Sequence, residues 1–193
     1  MIREMETARL RLRKAEERDL EKIWKNVWQD ERLAETMLWT PTPTLAEAEA
    51  RLARTVAYQA QYDGFFVCLK ETDEPIGFGG VRESEPGVFE ETGICIARAW
   101  QGQGYGRELL QALVDLVFRR LGGKRFVYAC FHDNAASAAL CRSCGFVYSH
   151  QKPGRRERDG YEYLCDYFVL EGPGGSPAAS DPQHPCTSPE ETV

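Results

Sequence analysis

Apolar positions recur along the chain with two alternating periods. Leu10 and Leu12 alternate with Arg9, Arg11 and Arg13, the pattern of a half-buried strand. Leu20, Ile23, Trp24, Val27 and Trp28 then fall at helical spacing, before a turn at Trp39-Thr-Pro-Thr-Pro43. Thr44 with Glu47 reads as a capping box, opening a helix to about Gln61. Strands are predicted at Phe65–Lys70 and Pro75–Arg82, joined as a hairpin by a polar turn. A strand over Glu90–Ala97 leads into a glycine-rich turn. The helix after it carries Leu109, Leu110, Leu113, Val114, Val117 and Leu121 on one face and stops at Gly122-Gly123. A strand at Arg125–Phe131, a helix from Asn134 to Cys144 and strands at Phe146–His150 and Tyr161–Leu170 complete the reading. Arg155, Arg156 and Arg158 in the last polar loop read as a solvated hairpin tip. The expected fold class is α+β (mixed α/β), one domain over residues 1–171.

From Gly172 onward the pattern stops. Residues 172–193 hold five of the ten prolines, and residues 171–193 hold four acids and no Lys or Arg. Such a segment buries too little apolar surface to offset its chain entropy, and is expected to be a disordered tail. Its acids carry most of the net charge of −6, so the folded part is near neutral and shows no basic stripe for nucleic acid. No apolar run approaches the roughly 20 residues of a membrane span, and Met1–Glu6 lacks the apolar stretch of a signal peptide. Seven cysteines, an odd number, sit mostly in apolar patterns; reduced thiols and a cytoplasmic location are expected. Cys141-x-x-Cys144 lacks further ligands for a metal.

The chemistry lies in Gln101-Gly102-Gln103-Gly104-Tyr105-Gly106, between a strand and a long amphipathic helix. Glycines here let backbone N–H groups approach a ligand, and the helix N-terminus favours an anion. A Walker A loop would close on Lys-Ser or Lys-Thr, but Arg107-Glu108 follows. The dinucleotide spacing Gly-x-Gly-x-x-Gly is absent as well. A pyrophosphate held without a metal fits, as in coenzyme A.

Gln101, Gly104 and Gly106 match the Gln/Arg-x-x-Gly-x-Gly/Ala motif of the GNAT family of N-acetyltransferases, in the same strand-turn-helix setting. Asn134-x-x-Ser137, closing on Gly145-Phe146, resembles that family's second motif. Thr7-Ala-Arg-Leu-Arg-Leu-Arg13 and Glu91-Thr-Gly-Ile94 look most like the branch containing ribosomal-protein N-terminal acetyltransferases. The resemblance implies a central, mostly antiparallel twisted sheet flanked by about four helices. Its fourth and fifth strands would splay to admit the pantetheine arm of acetyl-CoA. Ile94, Cys95 and Ile96 would offer backbone hydrogen bonds to that arm, and the turn Gln101–Arg107 (Gly102, Gln103, Gly104, Tyr105, Gly106, Arg107) would hold the pyrophosphate. Asn134 and Ser137 would face the cofactor, although Asn134 equally suits a plain N-cap. The acceptor would be a primary amine, on a protein N-terminus or a small molecule, with no metal, and a homodimer is compatible.

A thioester is already activated, so the protein's main tasks are to hold an amine near the carbonyl and to take up its proton. The family's usual proton donor, a Tyr seven residues after the Asn, is Cys141 here. A carboxylate used by some members five residues before the Asn is Ala129. Glu91 is the best remaining base, since strict strand alternation puts it on one face with Gly93, Cys95 and Ala97; His132 is a second candidate. Trp28, Met37, Leu38 and Trp39 could wall the acceptor or serve as core. The missing Tyr and carboxylate also suit a catalytically silent acyl-CoA sensor, and the acidic tail an interaction module.

Overall fold

The structure is a computed structural model that describes residues 2–173. Its strands are β1 (Glu4–Glu6), β2 (Leu10–Arg13), β3 (Asp63–Leu69), β4 (Pro75–Glu85), β5 (Val88–Ile96), β6 (Arg125–Phe131), β7 (Val147–Arg155) and β8 (Glu162–Glu171). They form one sheet in the order β1-β2-β3-β4-β5-β6-β8-β7. Every neighbouring pair is antiparallel except β5 and β6. The helices are α1 (Leu20–Ile23), which runs into a π-turn at Trp24–Trp28, α2 (Glu31–Ala34), α3 (Leu45–Gln59), α4 (Tyr105–Asp115), continued by a π-turn at Leu116–Arg120, and α5 (Ala135–Ser143). The expected mixed α/β class holds.

Two short elements escaped the periodic reading. β1 has three residues and buries only Met5, and α2 is a single turn capped by the Asp30 carboxylate, which accepts from the Leu33 N–H. Neither is long enough to show a period. Because β1 precedes the others, the splayed pair is the fifth and sixth strands. β7 also runs further than expected, pairing with β8 as far as Arg155.

Apolar side chains cover both faces of the sheet. One face packs Val81, Phe89, Phe126 and Tyr128 against Leu109, Leu113 and Val117 of the α4 segment and Ala138 and Cys141 of α5. The other packs Phe66, Cys68 and Cys95 against Ile23, Val27, Trp28 and Leu52 of α1 to α3, so Trp28 is core. Thr44 and Glu47 form the capping box read from the sequence. Arg13 departs from simple alternation: it is buried, bonded through both terminal nitrogens to Asp19 at 2.7 Å and through Nε to Asp73 at 3.0 Å. A buried guanidinium is tolerable only with such partners. Six cysteines of the described residues are free thiols, five of them buried. Among the described residues no helix is long and apolar enough to cross a membrane. Gly172 still belongs to the domain, its N–H donating to the Lys124 carbonyl at 2.8 Å; residues 174–193 of the expected tail lie outside the described residues.

Candidate active site

β5 and β6 pair only at their first residues, from Val88↔Arg125 to Glu90↔Val127. Beyond that point β5 stays on β4 as far as Ile96, and β6 stays on β8 as far as Phe131. Two strand edges therefore face each other across a V with no ladder between them. A cleft of about 630 Å³ fills the V. On the α4/α5 side it is lined by Gly102, Gly106, Asn134, Ser137 and Leu140, and on the other by Leu33, Met37, Trp39 and Tyr58. It thus crosses the sheet.

Glu91 is the first β5 residue past the last paired position and lines the cleft with Ile94, Cys95 and Ile96. The strand is not regular here. Gly79 faces Ile94 and Val81 faces Glu91, so Thr92 and Gly93 together oppose Gly80 in a β-bulge. Gly93 has φ 104°, and its N–H donates to the Glu91 carboxylate. The bulge reverses the alternation, which corrects the sequence expectation. Glu91 shares the α4 face with Ile94, because their partners Val81 and Gly79 meet the α4 core, whereas Cys95 lies on the opposite face.

At the mouth of the V, Gly102 (φ 73°) and Gly104 (φ 85°) occupy left-handed backbone that side chains disfavour. Gly104 is the N-cap of α4 and offers no side chain to the first-turn N–H groups, which a helix cannot satisfy by itself. A Cβ at Gly102 would meet nothing within 4 Å, so that approach is open. The turn is braced from behind. Arg9 donates to the Gln103 carbonyl at 2.9 Å and to Glu108 at 2.7 Å, and stacks on Tyr105 at 4.3 Å. Glu108 also accepts from the Thr7 hydroxyl and the Arg9 N–H. This bracing was missed in the sequence, although an acid in the first turn of α4 was a usable signal. Gln101 lines the cleft, and its amide donates to the Ile96 carbonyl at 2.8 Å. It fixes the strand-to-turn corner. Gln103, Gly104, Tyr105 and Arg107 belong to the turn but do not line the cleft.

Asn134 caps α5, its Oδ1 accepting from the Ser137 N–H at 3.1 Å, and it also lines the cleft. Both expected roles are therefore geometrically compatible. The Ser137 hydroxyl lies 2.7 Å from the Tyr128 hydroxyl. Tyr128, also missed, lines the cleft almost fully buried; desolvation pushes its phenol well above the usual range, so it stays protonated. Cys141 is not brought to the cleft. It lies in the core behind α5, its thiol donating to the Ala138 carbonyl at 3.3 Å and pushed up to about 12 by burial. His132 stands outside as well, exposed, with Nδ1 2.9 Å from Asp166.

The side of the cleft lined by Leu33, Met37 and Trp39 corrects the reading of the β7–β8 loop. Arg156 is buried. It donates to the carbonyls of Glu35 at 2.9 Å and Met37 at 3.3 Å, and pairs with Asp159 at 2.7 Å. Arg158 donates to the carbonyls of Ala34, at 2.9 Å, and Trp39. The two guanidiniums neutralise the carbonyl-rich end of α2 and the turn after it, a favourable place for cations. They are a clamp on the segment carrying Met37, Leu38 and Trp39.

An open V between parallel strands, with a glycine turn at a helix N-terminus on one side and an apolar wall on the other, is the candidate active site. The acetyltransferase (GNAT) domain model matches residues 9–147, and the chain belongs to this family, whose members are acetyl-CoA-dependent acyltransferases. It is 30% identical over 144 residues to the uncharacterized N-acetyltransferase p20 of Bacillus licheniformis, covering 72% of this chain and 80% of that one. A putative ribosomal-protein-serine acetyltransferase from Vibrio cholerae superposes with a TM-score of 0.73 at 27% identity, over 87% of this chain and 97% of that one. Spermidine N-acetyltransferase from Vibrio cholerae, solved with CoA and spermine, gives a TM-score of 0.70 at 20% identity, over 86% and 96%.

Proposed function

We propose that this chain transfers an acetyl group from acetyl-CoA to a primary amine, of a protein N-terminus or a small molecule, by direct attack with both substrates bound together. The observation that carries the reading is the cleft's passage through the sheet. A donor held on the glycine-turn side and an acceptor held against the Trp39 wall would meet at the vertex of the V, beside Glu91. The site fits acetyl-CoA on its own geometry. First-turn N–H groups of α4 and the open approach at Gly102 suit a pyrophosphate. The facing edges of β5 and β6 suit an extended arm that needs backbone partners. Gly102 and Gly106, with Asn134 and Ser137, would line the donor side. When bound, the thioester supplies an activated carbonyl and a thiolate leaving group.

The chain's own residues then have two tasks. Alkylamines with a pKa of about 10 are mostly protonated near pH 7 and must lose a proton before attacking. Glu91 is assigned that role, as the carboxylate at the vertex held in place by the Gly93 N–H. The protonated Tyr128 hydroxyl, paired with Ser137, is a proton-bearing group of the cleft that can serve the leaving side. Cytoplasmic residence is part of the same proposal, supported by five buried free thiols.

The test incubates the protein with acetyl-CoA and a panel of amines, reading out free thiol, with a pH–rate profile for Glu91→Gln. Wild-type turnover is expected with at least one amine and is unaffected by EDTA. Glu91→Gln should lower kcat/KM roughly 10²–10⁴-fold near pH 7. Its rate should climb towards wild type as pH rises to the amine's own pKa. Tight acetyl-CoA binding without turnover of any amine would instead favour the silent sensor. A flat comparison of Glu91→Gln with wild type at pH 7 would remove Glu91 from the mechanism.

A further inference from the structure

The cleft carries opposite charges at its two ends. Glu91 lies at the vertex. Glu90, one residue before it and paired with Arg82 at 3.8 Å, turns to the Trp39 side because its neighbour Phe89 points into the α4 core. At the open end of the V, just past the end of β5, stands Arg98. It reaches Asp30, the N-cap of α2, at 3.5 Å, so the start of α2, and with it Arg32, lies at the same end. Both arginines line the cleft and both are exposed. Between the ends the lining is mostly apolar, from Met37 and Leu38 and from Ala129, Phe131 and Cys165.

The cations at the rim are only partly committed. Arg98 meets Asp30 at a long distance, and Asp30 also accepts from the Leu33 N–H. Arg32 makes no ion pair among the described residues, and the neighbouring Glu31 and Glu35 do not line the cleft. An acceptor lying along this trough therefore meets carboxylates at one end and guanidiniums at the other.

Length decides what such an acceptor is. A strand rises roughly 3.3 Å per residue, which puts Arg98 about 20 Å from Glu91 once the bulge is allowed for. A free amino acid is far too short to span that distance. A polyamine long enough to do so would bring a cation to the arginines. An extended peptide advances about 3.4 Å per residue, so with its amino terminus at Glu91 its fourth to sixth residues come to the rim.

We infer that the acceptor is a polypeptide N-terminus with acidic residues at about its fourth to sixth positions, and that Arg32 and Arg98 select it. The inference rests on the transfer reading above and narrows its acceptor to one class.

The experiment uses full-length wild type, Arg32→Glu and Arg98→Glu at saturating acetyl-CoA. The acceptors are hexapeptide amides with free amino termini, three alanines followed by three glutamates, three glutamines or three lysines. Ratios of kcat/KM between peptides, compared across proteins, cancel what each peptide brings by itself. Wild type should favour the glutamate over the glutamine peptide roughly 3- to 10-fold at low salt, through KM, since each exposed charge pair contributes modestly. At about 0.5 M salt that preference should shrink. Each reversal should erase it, and Arg32→Glu should rank the lysine peptide first. Arg98→Glu faces Asp30 and strains the start of α2; Arg32→Glu disturbs no ion pair and carries the test alone if the other variant fails to fold. Losses shared equally by all three peptides, leaving the ratios as in wild type, overturn the inference. So does equal use of the glutamate and glutamine peptides by wild type, or a higher kcat/KM for spermine than for the glutamate peptide. Binding gives a readout independent of turnover. By calorimetry on CoA-saturated protein, the glutamate peptide should bind several-fold more tightly than the glutamine peptide, and Arg32→Glu should abolish the difference. If no peptide is acetylated while that difference is present, the transfer reading fails for these acceptors and selection by the rim stands; equal binding overturns the inference by itself.

Discussion

On the proposed reading, the donor side of the cleft takes most of its backbone from one run of chain, and the acceptor side is held together by segments distant in sequence. From Glu91 to Gly106 a single run of chain supplies the bulge, the unpaired strand edge, the glycine turn and the start of α4. Its working groups are backbone N–H and C=O, and its side chains mostly stay out of the way. The wall at Met37, Leu38 and Trp39 is held instead by Arg156 and Arg158, whose partners lie about 120 residues earlier in the chain. Its working groups are side chains on a short turn with little regular hydrogen bonding of its own. A site that recognises an invariant ligand part can be written into local backbone geometry. One that recognises a variable acceptor can be remodelled without touching that geometry.

The comparison breaks most visibly at Gly106. This residue is helical, and a Cβ there would meet only Leu140 at 3.5 Å, so Gly106→Val should fold. The branched side chain would project at the cleft where first-turn N–H groups are needed. Charge-assisted hydrogen bonds contribute about 1.5–3 kcal/mol each, so acetyl-CoA affinity should drop roughly 10- to 100-fold or more by calorimetry. Gly104→Val is the poorer test, since φ 85° strains any side chain there and the added Cβ would approach Arg9 at 3.3 Å. Wild-type affinity in folded Gly106→Val would move the anion site elsewhere.

Arg156→Ala attacks the other half. Removing this buried guanidinium leaves the Glu35 and Met37 carbonyls without their donor. The expected cost is about 1–3 kcal/mol, or a Tm lower by roughly 2–12 °C. The acceptor KM should rise several-fold while acetyl-CoA affinity stays put. Comparable losses on both sides would show that the halves are one mechanical unit. The pH dependence separates clamp from chemistry. Arg156 hydrogen bonds hold the Asp159 carboxyl down at about 2. A depressed carboxyl contributes stability above its unfolded pKa of about 3.9, lost as pH falls towards 2. Between pH 6 and 9 the clamp is constant, so a changing acceptor KM in that range belongs to the amine and its base.

The same division explains what could be read from the sequence. The glycine turn, the α4 face and the α5 N-cap are local, and their spacing was enough to single out segments that line one side of the cleft. Glu91 was found for its chemistry but assigned to the wrong face, because a bulge adds one residue to one strand without any mark stronger than Gly93. Arg156 and Arg158 looked like a solvated tip because a charged run in a loop says nothing about carbonyls that arrive from α2. Tyr128 drew no reading of its own within the Arg125–Phe131 strand, and its pairing with Ser137 needed the three-dimensional approach of α5 to β6.

The smallest expected effect is at Cys141, where sequence position and location in the fold disagree most. The family comparison put a proton donor at this position, and a thiol there would match the leaving thiol in acidity only if it resembled a free cysteine. It does not: burial pushes it up to about 12, and its proton is committed to the Ala138 carbonyl inside the core. A group that cannot reach the reacting atoms cannot donate to them, whatever its acidity. Cys141→Ala should therefore leave kcat and kcat/KM within about twofold across pH 6–9. It should still register in stability, because the deleted sulfur leaves a void among Tyr128, Ala138 and Phe146 of a close-packed core. A loss of about 1 kcal/mol corresponds to a Tm lower by roughly 2–4 °C for a domain of this size. A rate collapse at unchanged Tm would mean that α5 opens during turnover and carries the thiol into the cleft. Tyr128→Phe is the paired measurement: on the present geometry it, and not Cys141→Ala, should lower kcat.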